Sequence, residues 1–226
     1  MGEAKRFLAL AGNIGTGKTT AAKIISQHMG YELFDEPVID NRFLARYYSD
    51  MKRWSFTLQL EFLIRRVEHH ELIATVPKSC VQDRTLYEDP EIFAKYLHGL
   101  GHMSQPELDL YFEYFERLTR DLHRPDLVVV LEGPASTNLL RRIRLRGRKE
   151  EQSIPEEFLT GLSGYYVSFP MVCKEKYGIP VVRFDVHGND IRSESGRKLL
   201  LDLVDNALAG KSTDGKMPAP EQAIAS

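Results

Sequence analysis

Short apolar runs alternate along the chain with longer segments in which apolar residues recur at helical spacing. Five runs, Arg6–Ala11, Tyr31–Phe34, Ser79–Gln82, Leu127–Leu131 and Pro180–Asp185, are predicted to be buried strands. Six segments, Lys18–Met29, Arg53–Thr75, Gln105–Leu122, Thr137–Arg146, Glu156–Lys176 and Arg192–Leu208, carry helical periodicity. Strands separated by helical crossovers imply a parallel sheet covered on both faces, an α/β architecture. In the long Arg53–Thr75 segment, Phe56, Leu60, Ile64 and Val67 form a ridge expected to pack on the sheet. Gln59, Leu63 and Arg66 share a face about 100° away, because seven residues make nearly two turns. Spacing alone makes that second face a solvated one. An amide and a guanidinium there also suit the polar edge of a nucleobase.

Composition narrows this picture without redirecting it. The chain has 226 residues, 42% of them hydrophobic, enough for a substantial core in one α/β unit. A formal charge of -2 means that no global field draws the protein to nucleic acid or to a membrane surface. No apolar run approaches the roughly 20 residues of a membrane helix, and Met1–Arg6 is too short and polar for a signal peptide. The expectation is a cytoplasmic protein. Cys80 and Cys173 are the only cysteines and read as reduced core thiols. The aromatic cluster Tyr111, Phe112, Tyr114 and Phe115 reads as core or dimer contact. His69, His70, His98 and His102 read as surface or loop histidines rather than metal ligands. The segment 210–226 lacks an apolar face and is expected to be a disordered tail behind one unit spanning 1–209.

The chemistry starts at Gly12, Asn13, Ile14, Gly15, Thr16, Gly17, Lys18 and Thr19, which fit G-x-x-x-x-G-K-[ST] between a strand and a helix. Such a loop aims backbone N–H groups at phosphate oxygens, with Lys18 on the outer phosphates and the Thr19 hydroxyl on Mg²⁺. An Asn-Lys-x-Asp guanine-reading element is absent from the sequence. In an open parallel sheet, ligands gather at the carboxyl ends of the strands. The second strand leads into Asp35 and Glu36, and the third into Asp83, Arg84 and Thr85. Glu36 stands before Pro37, at an enforced strand exit, where a carboxylate can take a proton from an attacking hydroxyl. Asp83 can hold a water on Mg²⁺, and Arg84 can neutralise transferring charge. Surface ion pairing is the plainer alternative for each residue.

A last local signal is Arg141–Lys149, six basic residues in nine, with Leu140, Ile143 and Gly147 as its narrow apolar side. Arg141, Arg144 and Arg148 fall on one helical stripe and Arg142, Arg146 and Lys149 on the next, with no acid before Glu150 and Glu151. With a P-loop elsewhere, the economical anion is a triphosphate, so 141–155 is expected to be an Arg-rich lid hinged near Gly147.

Taken in order, these motifs resemble the deoxynucleoside kinase family. The likeness spans about Phe7 to Leu208: the P-loop, Glu36-Pro37-Val38, Tyr48 through Trp54 to Gln59, Asp83-Arg84-Thr85, and the Arg-rich segment ending at Glu151. The resemblance implies a P-loop kinase fold with a five-stranded parallel sheet, and ATP and Mg²⁺ as cofactors. It implies Glu36 as the base for the sugar 5′-hydroxyl, with Arg84 beside it, and Asp83 together with Thr19 at the metal. Tyr48 and Glu151 would hold the 3′-hydroxyl, Gln59 would pair with the base, and Trp54 and Phe93 would line the pocket. Thr20 would join the phosphate loop, with Arg146 and Arg148 closing over the phosphates. Arg66 and Asp89 match a charged pair carried by relatives that prefer deoxycytidine or purine deoxynucleosides. The Asp-Arg-Thr-Leu-Tyr-Glu-Asp wording from Asp83 to Asp89 looks most like bacterial purine-directed members, and a homodimer is the family norm. Asp-Arg-Thr stands where many relatives have Glu-Arg-Ser, and Leu58 where an aromatic often precedes the glutamine. Two other readings remain open on the residues: a nucleoside monophosphate kinase of the thymidylate type, and a nucleotide-binding module without transfer chemistry.

Overall fold

The computed structural model describes residues 4–35, 42–133, 135–148, 151–152 and 154–211. Its strands are β1 (Phe7–Gly12), β2 (Glu32–Phe34), β3 (Cys80–Asp83), β4 (Leu127–Glu132) and β5 (Val181–Asp185). All pair in parallel in the order β2-β3-β1-β4-β5. Helices α1 (Lys18–Met29), α2 (Leu44–Ser49), α3 (Met51–Thr75), α4 (Lys95–Gly99), α5 (Gln105–Thr119), α6 (Ser136–Arg146), α7 (Glu156–Glu175) and α8 (Glu194–Leu208) flank the sheet. A π-helix, Asp89–Ala94, runs directly into α4. This is the expected α/β architecture, a five-stranded parallel sheet covered by helices.

Strand β1 lies at the centre, and its alternation divides the core. Phe7, Ala9 and Ala11 face one side with Leu63 and Val67 of α3, Phe115 of α5 and Phe169 of α7. Leu8 and Leu10 face the other with Ala21, Ala22 and Ile25 of α1 and Leu200 and Val204 of α8. A strand covered on both faces is apolar throughout, which is why its sequence shows a continuous run. A third, smaller cluster of Leu139, Leu140, Ile143, Ile154 and Leu159 seats α6 on α7.

Local chemistry sets the element ends. The Asp50 carboxylate accepts from the Arg53 N–H and starts α3 at Met51, two residues before the expected Arg53. Ser104 and Glu107 form a capping box that starts α5 at Gln105. The Ser193 hydroxyl accepts from the Gly196 N–H, so α8 begins at Glu194 rather than Arg192.

Two expectations need correction. The ridge Phe56-Leu60-Ile64-Val67 is inward only in part: Val67 is buried and Phe56 and Leu60 pack against the core, but Ile64 is 46% exposed, and Gln59, Leu63, Arg66, His70 and Ile73 are buried as well. The buried face of α3 carries polar residues because it borders a cavity and an ion pair, so apolar periodicity marked only part of it. His70 is not a surface histidine. It is buried, packs edge-on against Phe7 at 4.9 Å, and its Nε2–H donates to the His123 carbonyl at 2.6 Å. His69, His98 and His102 are half-buried. The stretch 84–104, to which the periodicity assigns no element, contains the π-helix and α4. Cys80 and Cys173 are buried free thiols as expected, and burial pushes Cys173 up to about 12. Among the described residues no helix is long and apolar enough to cross a membrane. Of the tail 210–226, only Gly210 and Lys211 lie within the described residues.

Burial holds the His70 imidazole below its ordinary value of 6.5, and the same cause lowers His69. The unfolded chain therefore takes up protons at about pH 6.5 while the native state stays neutral, so stability is lost as pH falls through that window. Urea denaturation between pH 7.5 and 5.5 is expected to show a falling midpoint, and His70→Gln is expected to flatten the slope. An unchanged slope in the variant would remove His70 from the account.

Candidate functional site

A cavity of about 1020 Å³ opens at the carboxyl ends of the strands, on the rim where such sheets place ligands. That volume reaches the upper end of the range for single small-molecule sites and leaves room for two ligands end to end.

One end is the phosphate loop. Gly12 has φ 148°, and a Cβ there would meet the Leu131 carbonyl at 2.7 Å, so β1 can leave the sheet here only as glycine. Gly17, with φ 102°, caps α1 and turns its first N–H groups inward. The Lys18 ammonium is buried and donates to the Gly12 carbonyl at 2.7 Å and the Asn13 carbonyl at 3.1 Å. Those bonds hold it across the nest, where an arriving phosphate can take over its donors. Asn13 does not line the cavity. Its amide donates to the Leu159 carbonyl and the Ser163 hydroxyl, both at 2.9 Å, which fastens the loop to α7. Ile14, Gly15, Thr16, Gly17, Lys18, Thr19 and Thr20 do line it.

Across the rim, β3 delivers Asp83 and Arg84. The Thr19 hydroxyl donates to Asp83 Oδ2 at 2.5 Å. A hydroxyl and a carboxylate in contact at a P-loop form an oxygen donor set suited to Mg²⁺, with the carboxylate acting directly or through water. Arg84 is buried, sits over the Phe93 ring at 5.0 Å, and has φ 76°. A non-glycine residue in that region costs roughly 1–3 kcal/mol and persists only where the surroundings impose it.

The other end is bounded by α2, α3 and the π-helix. Tyr48, Met51, Leu58, Gln59, Phe62, Arg66, Asp89 and Phe93 line it. Gln59 is buried, and its Oε1 has no hydrogen-bond partner among the described residues, so a ligand donor there is favoured over an apolar group. Arg66 Nε and Asp89 Oδ2 are 2.7 Å apart with both side chains buried. The π-helix that presents Asp89 and Phe93 is anchored through Glu91, which takes Lys95 at 2.5 Å, Lys176 at 2.8 Å and the Tyr177 hydroxyl at 2.5 Å. Irregular helices of this kind concentrate at functional sites. Trp54 is not among the described residues lining the cavity. Its ring stacks on Phe43 at 5.7 Å, with Arg46 and Arg53 over its faces at 5.1 and 5.3 Å.

The basic segment closes the third side. Helix α6 ends at Arg146, and Gly147 caps it with φ 75°. Arg142, Arg146 and Arg148 line the cavity, while Arg141 and Arg144 are exposed. The expected absence of acid partners fails at Glu151, which pairs with Arg146 and, at 3.4 Å, with Arg148. Glu151 was placed with the sugar and the arginines with phosphate. The structure brings all three to one point of the rim. Glu36 and Lys149 lie outside the described residues, as do Glu150 and Ser153 of the expected lid.

Sequence reasoning missed two groups. Val186, Asn189, Asp190, Ile191 and Arg192 follow β5 and line the same cavity as Arg142. They carry no motif, and only the position of β5 beside β4 brings them to the rim. Glu88 was passed over although it lies inside the quoted 83–89 stretch. It is fully buried and binds both the Gly12 and Thr85 backbones.

Comparison with known proteins bears on all of this. The family model described as deoxynucleoside kinase matches residues 8–209. Deoxyadenosine kinase of Dictyostelium discoideum is 35% identical over 79% of this chain and 71% of that protein. Deoxyadenosine/deoxycytidine kinase of Bacillus subtilis is 38% identical over 64% of this chain and 67% of its own length. The structure of deoxyadenosine kinase from M. mycoides with bound dATP superposes with a TM-score of 0.75 at 30% identity, covering 90% of this chain and 99% of the other.

Proposed function

The chain belongs to the deoxynucleoside kinase family, and from that premise we propose that it transfers the γ-phosphoryl group of ATP to the 5′-hydroxyl of a purine deoxynucleoside in nucleotide salvage. The observation that carries the reading is the continuity of one cavity. Lys18 and the Thr19–Asp83 pair stand at one end, and Gln59 and the Arg66–Asp89 pair at the other.

ATP would place its phosphates on the backbone of 12–19 and Lys18, with its base toward Arg142 and the 186–192 segment. Thr19 and Asp83 would hold Mg²⁺, which supplies charge neutralisation and alignment of the phosphates when bound. Glu36 is the proposed base, taking the 5′-hydroxyl proton as that oxygen attacks phosphorus in line with the departing ADP. Arg84 stabilises the charge spread over the transferred group. Arg146 and Arg148 exchange part of their pairing with Glu151 for phosphate as the 141–155 lid closes, leaving Glu151 and Tyr48 for the sugar 3′-hydroxyl. Gln59 offers an acceptor and a donor to a purine edge, and the Arg66–Asp89 pair adds a second polar wall that a thymine methyl would not satisfy. The names of the two curated relatives support deoxyadenosine, with deoxycytidine as a further acceptor.

The test is a panel of the four deoxynucleosides, with thymidylate as a fifth acceptor, each with ATP and Mg²⁺ and scored by initial rate. Deoxyadenosine or deoxyguanosine is expected to be fastest and thymidylate inert. Thymidylate as the preferred acceptor would replace this reading with a monophosphate kinase. Absence of product from every acceptor would leave a binding module.

A cytoplasmic homodimer completes the proposal, with 1–209 as the kinase unit and no nucleic acid or membrane partner. Leu110, Tyr114 and Leu118 are 41%, 45% and 39% exposed at successive i, i+4 positions of α5. Ile64 and Leu72 are exposed on α3, against which α5 packs. An apolar patch of this kind marks an association surface. Tyr114→Glu with Leu118→Glu is expected to convert a dimer to a monomer by sedimentation. A wild-type protein that sediments as a monomer would dismiss the dimer.

A further inference from the structure

The proposed transfer needs Asp83 and Arg84 held at fixed reach from the phosphate loop, and the sheet does not do this. The β1–β3 register ends with Leu10 opposite Asp83, so beyond that pair the two chains diverge. Glu88 fills the gap. Its side chain is fully buried. Its Oε2 accepts from the Thr85 N–H at 2.9 Å, and its Oε1 from the Gly12 N–H at 3.1 Å and the Tyr166 hydroxyl at 2.6 Å. Arg84 Nη1 stands 3.6 Å from Oε1.

Each contact has a geometric consequence. The Thr85 N–H belongs to the peptide plane directly after Arg84, so bonding it fixes the turn that gives Arg84 its φ of 76°. The Gly12 N–H belongs to the first peptide of the phosphate loop. Tyr166 ties the same carboxylate to α7, and Asn13 reaches that helix from the other side of the loop. A buried carboxylate is costly unless its lone pairs are filled. Here three hydrogen-bond donors from three separate elements converge on it, with the Arg84 guanidinium 3.6 Å away.

We propose that Glu88 is a positioning residue for phosphoryl transfer. Its carboxylate replaces the missing rungs between β1 and β3 and holds the Asp83–Arg84 turn in register with the phosphate loop. The inference rests on the kinase reading above. Glu88 does not line the cavity and touches neither substrate. It acts through Arg84 and the loop backbone.

Glu88→Gln keeps the volume but sets an amide N–H₂ against N–H or O–H donors. Turnover with deoxyadenosine is expected to fall on the order of 10–100-fold, the range for residues that orient a reacting group from behind. KM for the deoxynucleoside is expected to stay near wild type, whereas the thermal midpoint is expected to fall, because a buried donor left unpaired is destabilising. In an Arg84→Ala background the same substitution is expected to cost clearly less than it does alone, because part of its action runs through that guanidinium. Unchanged turnover, a loss appearing wholly in KM, or a fully additive loss on top of Arg84→Ala would each overturn the proposal. If Glu88→Gln does not accumulate as folded protein, Tyr166→Phe removes one donor from the same carboxylate. A smaller fall in turnover at constant KM supports the clamp, and wild-type turnover overturns it. Wild-type protein that phosphorylates no deoxynucleoside would instead sink the kinase reading, an outcome separable from all of these.

Discussion

Arg84→Ala is expected to lower turnover by about 10²–10³-fold, the usual cost of removing one preorganised donor to transition-state charge. ATP affinity, measured by calorimetry, is expected to change little. Arg84 is buried at the edge of the cavity beside Asp83, with Phe93 beneath its guanidinium at 5.0 Å and Glu88 at 3.6 Å. The protein keeps it in a left-handed backbone conformation that a residue chosen only for surface charge would not need. On the proposed reading, phosphate binding in the ground state would fall chiefly to Lys18 and the loop backbone, so loss of Arg84 should appear in kcat rather than in binding. Arg84→Lys keeps the charge but not the planar fork and is expected to recover only part of the loss. Near-normal turnover in Arg84→Ala would show that the guanidinium serves the turn alone.

The second large effect concerns stability and selectivity together. Asp89→Ala leaves the buried Arg66 guanidinium without the carboxylate that stands 2.7 Å away, and is expected to destabilise the protein by about 3–5 kcal/mol in urea unfolding. Replacing both members, Arg66→Met with Asp89→Ala, is expected to regain most of that loss, because a buried ion pair gives back in attraction little more than it costs in desolvation. Selectivity should not return with stability. The paired variant is expected to lose preference for purine deoxynucleosides over thymidine, as the second polar wall beside Gln59 is gone. A paired variant that is stable and keeps wild-type selectivity would assign the pair to structure only.

The difference between what could and could not be read in advance follows the range of the interactions. Each strand was placed within a residue of its observed ends; in β1 and β4, burial on both faces demands a continuous apolar run whatever surrounds it. The P-loop was legible for a similar reason, since Gly12 and Gly17 answer local backbone demands that few other residues meet. Helix α3 shows the limit. Its inward face carries Gln59, Arg66 and His70, and an apolar moment cannot find a face whose polar groups are satisfied by Asp89, by His123 or by a ligand. Trp54 was placed in the pocket through a resemblance, whereas stacking on Phe43 holds it elsewhere.

By itself, then, the sequence determined the alternation of strands and helices, the phosphate loop and the charged residues delivered to the rim. These are features written in contiguous residues, where periodicity, capping and glycine geometry act over a few positions. Only the tertiary structure decided that Glu151 would pair with Arg146 and Arg148, that the residues after β5 would line the cavity, and that Glu88 would bind the Gly12 backbone, 76 residues away in the chain. Those choices depend on which strand lies beside which and on where a buried charge finds enough donors, and neither is a property of any short stretch of chain.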